Sequence, residues 1–181
     1  MTDAPKGEHE VKSTIIDDAF VDDHPPRTDS PTFSATKRKL HGQRCCISGH
    51  TEEVEQHHAT LEWVCGSGVD WVKVKGIATG QVTELPILDP ATDQPTGEMA
   101  PVEDFLIFHI LEWTKFRGFD WSAFDPAKPE TFVDSVQNML PISKLFHTGK
   151  RGIHRHSLPF FIFFAWPRLP GFVYTPDEES R

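Results

Sequence analysis

The chain is poor in the features that define secreted and membrane proteins. Of its 181 residues only three are cysteines, Cys45, Cys46 and Cys65, and the first two are adjacent. That is no disulfide framework, so a reducing, cytoplasmic setting is expected. No run of about 18 apolar residues exists to span a bilayer. The most apolar piece, 158–167, "LPFFIFFAWP", is too short, is interrupted by proline and is expected as core or as a homo-oligomer contact. The N-terminus lacks a basic stretch followed by an apolar one, so no secretory signal is expected. No membrane partner is expected either.

Basic charge is also scarce overall: 18 Lys and Arg face 27 Asp and Glu, a formal net charge of −9. The deficit is uneven. Residues 1–35 hold three bases against eight acids and 59–134 hold five against thirteen, whereas 36–58 and 135–181 carry a basic excess. An acidic total argues against nucleic-acid binding by the molecule as a whole, but a local basic face survives it.

Residues 1–35 are rich in Asp, Pro, Ser and Thr without sustained periodicity and are expected to form a disordered acidic tail. A single domain is expected over 36–175, with 176–181 as a frayed end. "SATKRKLHGQR" (34–44) reads as a short basic helix entering a turn at Gly42, and "CCISGHTEEVEQHH" (45–58) as a knuckle at Ser48-Gly49 followed by a strand. Two segments, "LEWVCGSGVDWVKV" (61–74) and "LEWTKFRGFDWSAF" (111–124), align without a gap at an offset of 50. Each reads as a helix end, a glycine C-cap, and an aspartate N-cap opening a short helix with tryptophan inward. Their glutamates, Glu62 and Glu112, are expected as helix-surface partners. The stretch between the copies looks like a loop or hairpin. In "TFVDSVQNMLPISKLFHTGK" (131–150) the early part suits a strand, and the residues after Pro141 suit a helix.

The residues that carry chemistry are the adjacent His57 and His58, then Asn138, then His147 nine positions later. This order, behind a cysteine knuckle, resembles the HNH endonucleases of the His-Me finger (ββα-metal) superfamily. That family's pattern is a C-x-x-C-G knuckle, a D-H or H-H pair ending a strand, an Asn opening the next, and L-C-x-x-C-H on a helix. The ending "HTGKRGIHRHSLP" is similar to that of nuclease-like phage proteins, which implies a phage or mobile-element origin. The resemblance implies an α+β fold: a small ββα-metal core with a helical insertion at about 61–130, since 79 residues separate His58 from Asn138.

It also implies an enzyme, an endonuclease that hydrolyses DNA phosphodiester bonds with one divalent cation, Mg²⁺ or alternatively Mn²⁺. Such hydrolysis needs a base for the attacking water and a cation for the developing charge. His58 would be the base, His57 and His147 metal ligands, and Asn138 the residue that holds the base-bearing loop. Lys144, Lys150, Arg151 and Arg155 would face phosphates, helped by Lys37, Arg38, Lys39 and Arg44. Against the family pattern, Ser48, Ser143 and Phe146 stand where three of the four zinc-binding cysteines would be. One thiolate cannot hold a tetrahedral ion, so no structural zinc is expected. Cys45, Cys46, His50 and His154 are candidate accessory groups for a partial site. Two other readings stay open: a catalytically silent HNH-fold module that binds DNA or protein, and a structural or assembly protein.

Overall fold

The two strands that carry the histidine pair and the asparagine lie far apart in sequence and side by side in space. The structure, a computed structural model, describes residues 17–19, 30–92, 94–148, 153, 166–167 and 174–176. Lys150, Arg151, His154, Arg155 and the aromatic stretch 158–165 lie outside the described residues. Along the chain run β1 (Asp17–Ala19), α1 (Pro31–Leu40), β2 (Val54–His58), α2 (Trp71–Ala78), β3 (Glu84–Leu88) and β4 (Pro95–Pro101). Then come α3 (Leu106–Phe116), the single turn α4 (Glu130–Val133), β5 (Met139–Ser143), the single turn α5 (Lys144–His147) and β6 (Tyr174–Pro176). The fold is mixed α+β, and the described strands pair as three two-stranded antiparallel sheets, β1 with β6, β2 with β5 and β3 with β4.

Helix α1 begins inside the segment expected to be tail. Ser30 is its N-cap, accepting from the Phe33 N–H at 2.9 Å, and Pro31 opens its first turn. Both are helix-start signals. Phe33 is buried, so the expectation that everything up to residue 35 lacks core contacts is corrected. β1 likewise falls within the expected tail, and β6 reaches the expected frayed end. Lys37, Arg38 and Lys39 occupy the last turn of α1, where cations complement the helix dipole, and the chain leaves through Gly42 at φ 75°.

The knuckle forms as expected. Gly49 donates to the Cys45 carbonyl at 2.8 Å and Cys45 to that of His50 at 2.7 Å, with Gly49 in the left-handed region at φ 73°. Beyond it β2 pairs with β5, with His57 opposite Leu140 and His58 opposite Met139. The strand runs through Pro141, where a helix was expected, and the helical turn waits until Lys144. Proline is tolerated because this two-stranded ribbon asks no further donor of it. Its carbonyl takes the Cys46 N–H at 2.9 Å, docking the knuckle on the strand. The residues expected as a strand before Asn138 instead hold the turn α4, which Pro129 introduces.

The insertion is the larger part of the core. Trp71, Val74, Ile77, Ile107, Leu111, Trp121, Phe124, Phe132 and Val133 form one buried cluster that Trp166 joins from the C-terminal side. It is also more than helical, because β3 and β4 form a hairpin within it. A smaller cluster of Phe33, Leu40 and Met139 lies under α1. The β2–β5 pair therefore sits between two apolar masses, one built by the insertion and one by α1.

Candidate functional site

Successive side chains of a strand point to opposite faces, so His57 and His58 leave β2 in opposite directions. Both are buried. On the His57 face, α5 follows directly on β5 and brings His147 alongside, the two imidazole centroids 5.3 Å apart and the rings edge-on at 63°. Glu55, two residues before His57 and on the same face, holds the His147 ring through an Nδ1–Oε2 contact of 2.6 Å. On the other face, Phe33 of α1 stacks nearly parallel on His58 at 6.3 Å. There His58 Nε2 lies 3.1 Å from Asp134 Oδ1. Asp134 is fully buried; its second oxygen accepts from the Ser30 hydroxyl at 2.7 Å, and its carbonyl accepts from Thr36 Oγ1, also at 2.7 Å.

Past His58 the chain folds back, and Asn138 makes it do so. The asparagine side chain is fully buried and uses both ends of its amide. Its Oδ1 accepts from the Thr60 N–H at 3.1 Å and the Thr60 hydroxyl at 2.6 Å. Its Nδ2 donates to the carbonyls of Leu61 at 3.1 Å and Val133 at 2.8 Å. The Asn138 carbonyl takes the Ala59 N–H at 2.6 Å, and Trp166 donates its indole N–H to the Thr60 carbonyl at 3.1 Å. Arg117 braces the other side of Asn138 by donating Nη2 to the carbonyls of Val136 and Met139, 2.7 and 2.9 Å away. Burial lowers its pKa, a neighbouring Cys46 charge opposing that, and the guanidinium lies 4.7 Å above the Trp113 ring.

This fold-back delivers Glu62 to the histidines. Its Oε1 is 3.5 Å from His57 Nδ1 and its Oε2 is 3.5 Å from His58 Nδ1. The expectation that Glu62 is a helix-surface partner is corrected: its carboxylate bridges the pair. Glu112, its counterpart in the second copy, does behave as expected, pairing with Lys115 at 2.6 Å on the surface.

Of the residues singled out from sequence, His57 and His147 meet on one face of β2, His58 lies on the other, and Asn138 holds the loop that follows the pair. Lys144 lies exposed on α5, beside them in sequence. Lys37, Arg38 and Lys39 line the exposed side of α1, and Arg44 is turned onto the knuckle, donating to the Gly49 carbonyl at 2.9 Å. His50 and Cys46 are exposed and Cys45 is buried. Among the described residues no group of three or more His, Cys, Asp or Glu is arranged to hold a metal ion. Burial raises the Cys45 pKa, but hydrogen bonds from the Ser48 hydroxyl and from the backbone at Ser48, Ser143 and Ile47 outweigh it, bringing the thiol down to about 6. The knuckle thus stabilises a thiolate with hydrogen bonds. Cys65, under burial and the Glu62 charge, is pushed up to about 12.

Ser30, Phe33, Glu55, Arg117 and Asp134 escape the sequence reading, and Glu62 reads there only as a surface partner. Glu55 has the two-residue spacing that puts it on the His57 face of a strand, and Ser30 the serine–proline signal of a helix start. Between the strand ends and α3 an apolar groove of about 370 Å³ opens, lined by Ala59, Thr60, Leu140, Leu106, His109, Ile110 and Trp113. No helix among the described residues is long and apolar enough to cross a membrane. No protein-family model, curated protein or solved structure matches this chain.

Proposed function

We propose that the chain is a metal-dependent endonuclease that hydrolyses DNA phosphodiester bonds, with β2, β5 and α5 as a ββα-metal core. One observation carries the reading. His147 of α5 meets His57 of β2 from 90 positions away, and Asn138 of the loop before β5 clamps the chain that follows the histidine pair. A buried histidine at the end of a strand, joined to its neighbour His57 through the Glu62 carboxylate, suits a general base.

The donor set fits a divalent ion in kind. His57 and His147 are the neighbouring imidazoles, and a hard cation completes its shell with water and substrate oxygens rather than a full protein cage. Such an ion, when bound, supplies positive charge to the scissile phosphate and the leaving oxygen. The rest is done by the chain. His58 takes the proton of the attacking water. Asn138 keeps the 59–61 loop in place, so the base does not drift from the phosphate. Glu55 sets the orientation of His147. Lys144 and the basic edge of α1 attract the phosphate backbone without reading sequence.

The test is nicking of supercoiled plasmid with Mg²⁺ or Mn²⁺, comparing wild type with His58→Ala. Loss of cleavage with DNA binding retained is the expected result, since the variant removes the base and leaves the phosphate contacts. Equal cutting by both proteins would place the activity elsewhere. Absence of cutting on single-stranded, duplex and branched DNA alike would favour a silent binding module.

A further inference from the structure

We infer that the apolar groove between the strand ends and α3 is a nucleobase site, in which one unpaired base of the DNA stacks on Trp113. The inference rests on the nuclease reading for the polymer it names, and deepens that reading by naming the substrate class: single-stranded or otherwise unpaired DNA.

The groove belongs to the face of the strand pair that carries His57. Leu140 lies directly opposite His57 in the β2–β5 register, and Ala59 follows His57 by two residues, its N–H donating to the Asn138 carbonyl at 2.6 Å. Facing residues and alternate residues share one side of a strand pair, so Leu140 and Ala59 lie on the side where His147 meets His57. Same-face positions on a strand are about 7 Å apart, a step that one nucleotide bridges between its phosphate and its base. The far wall is α3, where Leu106, His109, Ile110 and Trp113 recur at helical spacing. Leu106 is 44% exposed and Trp113 36%. Large apolar groups left open beside a candidate site mark a binding surface.

Three features favour a base as the occupant. The indole is held before anything binds: Arg117, which does not line the groove, lies 4.7 Å from the ring centroid and is itself fixed by donating to the Val136 and Met139 carbonyls. A ring set in advance loses little freedom when another π-face stacks on it. The volume, about 370 Å³, lies near the lower end of ligand pockets, about 300–1,000 Å³, and suits one base rather than a partner helix. Charge then separates the two ends of the nucleotide. Among the described residues the groove is lined by neither Lys nor Arg, and residues 59–134 hold thirteen acids against five bases, which repels a duplex laid along them. Lys144 is exposed on α5, the turn that ends at His147, so the cationic side is the histidine side. A phosphate is therefore drawn to the histidines and the base is taken by stacking. A base within a duplex is covered by its neighbours, so only an unpaired or extruded one enters.

The experiment is binding by the full chain in EDTA, where no cleavage interferes, read by the anisotropy of labelled probes. The probes are a short oligodeoxythymidylate, an abasic oligomer of the same length and charge, and a duplex of the same length. The single strand should bind about tenfold or more tightly than the abasic oligomer, the usual weight of one base on an aromatic ring. Trp113→Ala should remove that difference and leave abasic binding unchanged, while Trp113→Phe, which still stacks, should keep most of it. Equal affinity for the two oligomers would overturn the inference. So would a folded Trp113→Ala protein that still prefers the base, or a duplex bound as tightly as the single strand. Leu106→Asn, at an exposed position, serves where Trp113→Ala does not fold; a smaller preference for the base is expected there, and an unchanged one counts against the inference. A dimer in sedimentation that Trp113→Ala dissolves would give the groove to a second copy of the chain and overturn the assignment. The two readings fail separately. A wild type that cuts no DNA yet binds in a base-dependent way sinks the nuclease reading and leaves the groove assigned, and one that cuts without base-dependent binding does the reverse.

Discussion

The two copies of the repeat, 61–74 and 111–124, share six identical letters and have different fates. Their second halves agree in the aspartate's hydrogen bonds but not in the short helix expected after each: Asp70 opens α2, whereas residues 121–123 form only a turn. Asp70 caps α2 by accepting from Lys73 N–H at 3.0 Å, and Asp120 accepts from the N–H groups of Ser122 and Ala123 at 2.9 and 3.2 Å. Each is followed by a buried tryptophan that packs on Phe132, with ring centroids 6.0 Å away for Trp71 and 4.7 Å for Trp121. The first halves diverge. Leu-Glu-Trp at 61–63 follows the loop clamped by Asn138, so Glu62 turns to the histidines. Leu-Glu-Trp at 111–113 lies inside α3, with Glu112 on the surface and Trp113 partly exposed beneath Arg117. Even the shared glycine differs: Gly118 adopts a left-handed φ of 89° after α3, whereas Gly68 ends a 3₁₀ helix without one. The lesson is that a side-chain-to-backbone hydrogen bond travels with its sequence, while the partner of a charged side chain is set by what the fold places opposite it.

The strongest way to break this comparison is to remove what the copies share. Phe132 has no exposed surface and touches both tryptophans. Phe132→Ala should cost about 3–5 kcal/mol, read by urea denaturation. A loss under about 1 kcal/mol would mean that the two halves do not depend on a common centre.

Next in size is the contrast between the glutamates. Glu62→Gln should shift the His57 and His58 ring resonances and reduce plasmid nicking by about tenfold or more, because it removes a charge from both Nδ1 edges. Glu112→Gln should leave both within about twofold and change stability by less than about 0.5 kcal/mol, as exposed pairs do. Equal effects would erase the distinction drawn here.

Smaller still are the two aspartates. Asp70→Ala should cost about 1 kcal/mol, the usual loss of an N-cap. Asp120→Asn tests the aspartate turn of the second copy through pH. Its carboxyl lies below the usual range because the Ser122 side chain and the Ala123 and Ser122 backbone donate to it. A depressed folded value stabilises above the unfolded value, and that gain is lost as pH falls through the folded one. The wild type should therefore lose stability on acidification over that window, and Asp120→Asn should lose less; identical acid profiles would argue against that role of the turn.

The least costly measurement concerns thiols. Position 65 in the first copy is a buried cysteine with its pKa pushed up to about 12, and its counterpart in the second copy is the exposed Lys115. Exposed Cys46 should react with a thiol reagent at pH 8 long before Cys65, which should wait for unfolding. Early labelling of Cys65 would show that the first copy opens more readily than its packing implies.

Local chemistry made much of this molecule legible from its letters. The Ser48-Gly49 knuckle, the strand leading to His57, the hairpin between the copies and the Asp70 cap each depend on a few adjacent residues. Their backbone preferences and short-range hydrogen bonds are already present in the chain. The order of His57, His58, Asn138 and His147 could be read, and so could the role of Asn138 in holding the loop. Proline misled the reading at 141, since a helix-start residue is also acceptable in a two-stranded ribbon. Composition misled it at 31–35, since a polar segment still forms a helix when a serine cap and one buried phenylalanine anchor it. The partners of the histidines had no local signature apart from Glu55. Asp134 lies 76 positions from His58, and Ser30 lies 104 positions from Asp134. Contacts at such separations depend on how α1 and the insertion close over the strand pair, so only the tertiary structure could decide that Glu62 turns inward, Glu112 outward and Asp134 toward His58.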